Sequence, residues 1–322
     1  MPRQFFTATF GLLRIILSVL PRPVTVCFLK YSRNVLSFRL NEILEEQLYF
    51  PVLKGNRTVL NLPRLIIPVP VERKMSIRVG DQSQRCYWCG HFDEVSCYLL
   101  RHLSESDTFI DIGANCGFMT LVASSRVPAQ QIYCFEPNPD TFRELTNNLH
   151  INDLNANTFN LALSNKRERC RLYVPEGACG GSSINAMNYE RRDLLPGEER
   201  PTAYHEVDAE VFDDLWKDIS AKAVSAFGKV VIKLDAEGFE LTIIAGMSEF
   251  LKANATRITV LIEVYESEYE AAMTTLHGYG FTGFSILPDG TTAPAARPEK
   301  NRFSNYCFRA SVVVPAAQVQ PG

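Results

Sequence analysis

From Thr108 onward the chain repeats one unit: a short apolar run, an acid at or just past its end, a loop, and then a helical pattern. The runs are Thr108–Ile112, Gln131–Phe135, Lys229–Leu234 and Ile258–Val264. Strands alternating with helices imply a parallel sheet covered by helices on both faces. The helical stretches are predicted over Phe118–Arg126, from Pro139 to about Asn147–His150, from Gly238 to about Leu251, and over Glu266–His277. Thr158–Ser164 and Cys170–Val174 read as further strands. The last two runs, Phe281–Leu287 and Asn305–Ser311, are separated only by a loop holding Gly290, Pro294 and Pro298, so they are predicted to pair antiparallel.

The first unit, TFIDIGANCGF, carries the most chemical information. Its strand holds Asp111, and its loop holds Gly113, Ala114, Asn115 and Gly117. Such a loop at the end of a parallel strand brings backbone close to a nucleotide-like ligand. Pyrophosphate binders space their glycines G-x-G-x-x-G to aim a helix N-terminus at phosphate. Here the spacing is Asp-x-Gly-x-Asn-x-Gly. An acid ahead of the loop repels pyrophosphate and suits a cationic ligand bearing an amino acid group, such as S-adenosylmethionine. Asn115 fits a tight turn, since Asn tolerates left-handed backbone.

Acids recur at the ends of the next strands. Glu136 follows Asp111 by 25 residues, room for one helix and one strand, and an acid there typically accepts from both ribose hydroxyls. Asn138 and Pro139 fit the N-cap and first position of the next helix. Asp235 and Glu237 lie at the carboxyl end of Lys229–Leu234, the edge that faces the ligand crevice. They are candidates to position a hydroxyl, to act as base, or to hold a cation with Glu263. Glu240, in the first turn of the following helix, reads as structural.

Other features bound the partners. A net charge of -3 gives no sign of nucleic-acid binding, and nine scattered cysteines read as reduced thiols of a cytoplasmic protein. Cys86, Cys89, His91 and Cys97 are too cramped for a usual zinc site, and no metal is expected. The turn near Gly90 is predicted to lead into a helix from about Glu94 to Leu103, with Tyr87, Trp88, His91, Asp93 and Glu94 placed to cover a ligand. The first forty residues are basic, with no acid before Glu42. Phe5–Leu20 is apolar but interrupted by Arg14, which suits peripheral contact with a membrane surface rather than a span. Val35–Leu48 has an amphipathic pattern. The expected organisation is an extension over 1–80, a catalytic domain over 81–312 and a loose tail over 313–322.

In order along the chain, FIDIGANCGFMT, FEPNPDTFRELTNNL, NLALSN, GGSSI and VIKLDAEGFELTIIAGM resemble the FkbM family of S-adenosylmethionine-dependent methyltransferases, over roughly residues 85–310. The resemblance implies a Rossmann-like class I methyltransferase fold: a mostly parallel seven-stranded sheet with an antiparallel C-terminal hairpin. It implies O-methylation of a saccharide, glycolipid or related small-molecule hydroxyl. It places Asp111, Gly113, Asn115 and Gly117 around the methionine portion of the donor, Glu136 at the ribose, and Asn160 and Ala162 at the adenine, with Asn138 also among the cofactor-binding residues. Asp235 and Glu237 fall on the acceptor side as the catalytic candidates, and Gly181–Ile184 shape the acceptor pocket. The insertion at about Asn185–Glu206 departs from the family pattern. Two rival readings are a catalytically silent scaffold at a membrane surface and a nicotinamide-dependent oxidoreductase. The loop spacing and Asp111 disfavour the latter.

Overall fold

The computed structural model describes residues 65–69, 71–78, 81, 84, 87, 93–175, 179–184, 204–222, 228–300 and 302–310. The basic N-terminus, Val35–Leu48, Cys86, Cys89, His91, Trp88, nearly all of the insertion and the C-terminal tail lie outside the described residues. Among those described, no helix is long and apolar enough to cross a membrane.

The main sheet is built from β3 (Thr108–Ile112), β4 (Ile132–Phe135), β5 (Asn157–Phe159), β9 (Val230–Leu234), β10 (Ile258–Tyr265), β11 (Phe281–Ile286), β12 (Thr292–Pro294) and β13 (Phe303–Ala310). Its order is β12-β11-β13-β10-β9-β3-β4-β5. The run from β5 to β10 is parallel, whereas β13 pairs antiparallel with both β10 and β11. The expected antiparallel closing pair is therefore present. The sheet has eight strands rather than seven, because residues 292–294 add a short edge strand to β11.

Strand alternation sorts each run between two cores, since successive side chains point to opposite faces. Phe109, Cys134, Val231 and Leu261 join one core, while Ile110, Phe135, Ile232 and Ile262 join the other. The first is covered by α1 (Glu94–His102), α2 (Phe118–Ala123) and α3 (Pro139–His150). The second is covered by α4 (Phe212–Lys222), α5 (Glu240–Gly246), α6 (Ser248–Asn254) and α7 (Tyr269–Gly278). Asn138 and Pro139 open α3 as expected, with the Asn138 side chain accepting from Asp140 N. The predicted single helix ending near Leu251 is two: α5 stops at Gly246, and α6 starts anew with its first amides satisfied by Asp213. The amides of Glu249 and Phe250 each donate to the Asp213 carboxylate at 2.9 Å.

Three departures from the expected elements bear on the site. Thr158–Ser164 is not one strand. It breaks at Asn160, whose Nδ2 donates to the carbonyls of Glu136 and Pro137, and β6 (Ala162–Ser164) leaves the main sheet. There β6 pairs with β8 (Tyr204–Val211), which in turn pairs with β7 (Glu168–Tyr173), forming a second sheet. The last residues expected in the insertion thus begin β8. Ahead of residue 81, β1 (Leu65–Val69) and β2 (Arg73–Ile77) form an antiparallel ribbon. Met75 and Ile77 are fully buried in the first core. Asn148 of α3 substitutes for a neighbouring strand: it accepts from Ser76 N at 2.7 Å and donates to the carbonyls of Ser76 and Cys116.

Candidate active site

A cleft opens where the loops following β3, β4 and β9 meet, at the carboxyl edge of the parallel strands. It spans about 900 Å³ of space, the open solvent at its mouth included. Its floor is the loop after β3. Gly113 has φ +73°, and a Cβ there would lie 1.8 Å from the Asp235 carbonyl oxygen, so only glycine lets the two loops touch. The amides of Gly113 and Ala114 both donate to Phe135 O at 3.0 Å, tying the loop to β4. Asn115 takes the left-handed conformation expected of it, φ 51°, and its side chain accepts from Cys116 N.

Glu136 projects into the cleft with each carboxylate oxygen bonded to one backbone amide. Oε2 accepts from Asn115 N at 2.8 Å and Oε1 from Asn138 N at 2.9 Å. Burial pushes its pKa up to about 7, against the pull of those two amides. Each oxygen keeps acceptor capacity for a ligand hydroxyl. Leu161, Ala162, Leu163, Leu172 and Ile184 form an apolar wall on this side.

On the opposite side stand Asp235 and Glu237. Asp235 is partly exposed, and Glu237 is held at φ 53°, left-handed backbone that a glutamate rarely adopts. Glu240 organises their loop from below: its buried Oε1 accepts from Ala236 N at 2.7 Å and Gly238 N at 3.2 Å. Burial pushes the Glu240 carboxyl up to about 7. Its expected structural role has a definite form, a carboxylate that caps a turn from within. Glu263 is pushed up to about 10, by burial and then by the charges of Asp235, Glu237 and Glu240. It does not line the cleft. Among the described residues no three His, Cys, Asp or Glu side chains are grouped to hold a metal ion.

Lys233 is the residue that the sequence reading missed. It is almost wholly buried in β9, yet its ammonium reaches the cleft. Nζ donates to Gly113 O at 2.8 Å and lies 3.2 Å from Asp235 Oδ2 and 3.7 Å from Asp111 Oδ1. Burial pulls its pKa down, but Asp235 and Asp111 outweigh that and hold it above the usual lysine range. Asp111 is fully buried and does not line the cleft. It accepts from Thr120 Oγ1 at 2.6 Å, and among the described residues its Oδ1 has no hydrogen-bond partner, the Lys233 ammonium standing 3.7 Å away. Burial raises the Asp111 carboxyl, against Lys233 and Thr120. The only trace of this pairing in the sequence is a lysine inside the apolar run, two positions before an acid.

The remaining candidates divide by position. Gly113, Asn115, Glu136, Ala162, Asp235 and Glu237 line the cleft, whereas Asp111, Gly117, Asn138 and Asn160 stand behind its wall and support it. Gly117 caps α2, and Asn160 holds the Glu136–Pro137 backbone. Of the residues expected to cover a ligand, Tyr87 and Asp93 line the cleft. Tyr87 stacks on Phe118 with ring centroids 4.4 Å apart, and Asp93 caps α1. Glu94 instead accepts from Asn305 Nδ2 at 2.8 Å. Cys179 also lines the cleft, its thiol pushed up to about 12 chiefly by burial.

A parallel sheet with an antiparallel strand inserted near one edge, a glycine loop after its central strand and an acid after the neighbouring strand define a Rossmann-like methyltransferase fold. The family model for the methyltransferase FkbM domain matches residues 111–282, more than half of the chain, and the chain belongs to that family. It is 28% identical over 159 residues to the hexuronic acid methyltransferase AglP of Haloferax volcanii, covering 48% of this chain and 56% of that protein. It is 26% identical over 168 residues to the methyltransferase sdnD of Sordaria araneosa, covering 48% and 65%. The matches thus span less than two thirds of either relative. Among solved structures, the methyltransferase FkbM from Methylobacillus flagellatus KT is similar at 15% identity and a TM-score of 0.37, over 64% of this chain and 44% of that one.

Proposed function

We propose that this protein is an S-adenosylmethionine-dependent O-methyltransferase acting on a hydroxyl of a saccharide or a related small molecule. One observation carries the reading: a single cleft joins a glycine-loop floor and a ribose-type acid, Glu136, to an acid-bearing loop with Asp235 and Glu237. The residues present fit the donor. Carboxylates of Asp93, Glu136 and Asp235 outnumber the one ammonium of Lys233 along the wall, which favours a cationic ligand. The apolar wall at Leu161–Leu163 suits a base, and Glu136 suits a ribose diol. The hexuronic acid acceptor named for the Haloferax volcanii relative supports the saccharide class.

When bound, the donor supplies an activated methyl group on a sulfonium. The chain's work is then placement of an acceptor oxygen in line, about 3–3.5 Å from the methyl carbon. Asp235 or Glu237 would accept the hydroxyl hydrogen and take the proton released when that oxygen is methylated. Lys233 holds Asp235 in place against the donor loop.

Calorimetry with S-adenosylhomocysteine tests the donor half. Methyl transfer from labelled S-adenosylmethionine to a panel of neutral and uronic acid glycosides tests the acceptor half. Binding together with transfer to a sugar hydroxyl is expected, with D235N and E237Q each assayed for loss of turnover. Absence of S-adenosylhomocysteine binding overturns the donor assignment. Near-normal turnover in both amide variants overturns the acid assignment.

A further inference from the structure

The segment Cys179–Ile184 borders the cleft, and its two adjacent serines bond in different directions. Ser182 Oγ donates to Cys179 O at 2.6 Å and lies 3.4 Å from Asn138 Nδ2, beside the Glu136 end. Ser183 turns the other way, and its Oγ donates to the carbonyl oxygen of Glu237 at 2.8 Å. The segment itself is anchored twice. Cys179 N donates to Asp81 Oδ2 at 2.9 Å, and Ser183 exchanges both backbone bonds with Tyr173, the last residue of β7, at 2.9 and 3.0 Å.

Left-handed backbone at a non-glycine residue is unfavourable and persists only where the surroundings over-determine it. At Glu237 the surroundings do this from three directions. Glu240 takes the amides on either side, Ala236 N and Gly238 N, and Ser183 takes the carbonyl between them. Glu240 belongs to the helix that follows the loop. Ser183 is an anchor from a distant part of the chain, and it is buried, so its hydroxyl bond is shielded from water.

We propose that Ser183 is a positioning residue for the methyl-transfer step: its hydroxyl pins the Glu237 peptide and so aims the acid loop at the acceptor, independently of donor binding. The proposal rests on the methyltransferase reading above. It gives the small sheet a function, because β7 holds Ser183 and Ser183 holds the acid loop.

The test uses the full chain with S183A and S183T. Hydrogen exchange at the 236–239 amides, followed by mass spectrometry, reads the pin directly, and calorimetry with S-adenosylhomocysteine reads the donor site. Methyl transfer to p-nitrophenyl glucuronide reads turnover. S183A is expected to speed exchange in that loop about tenfold, as loss of one hydrogen bond does. It should lower kcat roughly 10- to 100-fold while leaving KM and S-adenosylhomocysteine affinity near wild type. S183T, which keeps the hydroxyl, should restore both loop protection and kcat. Unchanged exchange in S183A overturns the proposal, as does equal loss in S183A and S183T or a parallel loss of donor affinity. A wild-type chain that binds no S-adenosylhomocysteine overturns the methyltransferase reading instead, and loop exchange still decides the role of Ser183.

Discussion

Lys233 sits between Ile232 and Leu234 in the interior of β9, with its charge shared among Gly113 O, Asp235 and Asp111. Removing one partner of a buried ion pair leaves the other charge uncompensated, a cost of about 3–5 kcal/mol. K233M is therefore expected to lose stability of that order in urea unfolding, and adding D111N to it should recover part of the loss. Equal stability of K233M and wild type would show the pair to be dispensable. Glu136 makes a second prediction at this scale. On the donor site proposed above, its carboxyl, pushed up to about 7, would accept both hydroxyls of a ribose only when ionised. Affinity for S-adenosylhomocysteine should thus rise as pH climbs through about 7, and E136Q should bind at least roughly tenfold more weakly with a flat pH profile. The acids were legible in the sequence because a strand end followed by a loop is a local pattern. The lysine was not: its role depends on β9 lying beside β3, which sets Asp111 directly across from Lys233.

The elements that position the site are held by polar side chains acting across element boundaries. Asp213 of α4 caps α6 through two amides, a bond pair that local sequence around Ser248 does not announce. Losing a helix cap costs about 0.5–2 kcal/mol, so D213A should lower the urea midpoint accordingly with donor affinity unchanged. A variant as stable as wild type would mean that water satisfies those amides equally well. Asn148 does the same for the β1–β2 ribbon, lending β2 the hydrogen bonds a neighbouring strand would supply. Hydrophobic period located β3, β4, β9, β10, β11 and β13 and helices α1, α2, α3 and α7 to within a few residues, since period reflects burial on a known face, but it missed α4. It did not separate β5 from β6. The apolar residues run on through NLALS, and only the bonds of Asn160 to the Glu136–Pro137 backbone turn the chain into a different sheet.

Across the whole molecule, the cleft and the loop beneath it concentrate acids whose protonation couples to folding. Glu136 and Glu240 are both raised from the ordinary 4.5 to about 7. The folded chain therefore holds protons that the unfolded chain has already released. Their stabilising contribution is complete below about 4.5 and is lost as pH rises through about 7, on the order of 1–3 kcal/mol per group. The free protein should unfold at lower urea at pH 8 than at pH 5.5, with E240Q flattening the trend, and an unchanged midpoint across that range would contradict it. Read in order, the amino acids specified the alternating architecture, the glycine loop, the strand-end acids and the family, because each of these is written in residues close together along the chain. Folding in three dimensions decided which acids face the cleft and which lie behind it. It placed Lys233 between two of them, and it brought Ser183 to Glu237, 54 residues away. Those relations come from strand order and long-range hydrogen bonds, which no local pattern contains. The loop at Gly113 belongs to both: its residues announced a close backbone approach, and the fold supplied what approaches, the Asp235 carbonyl of the acid loop.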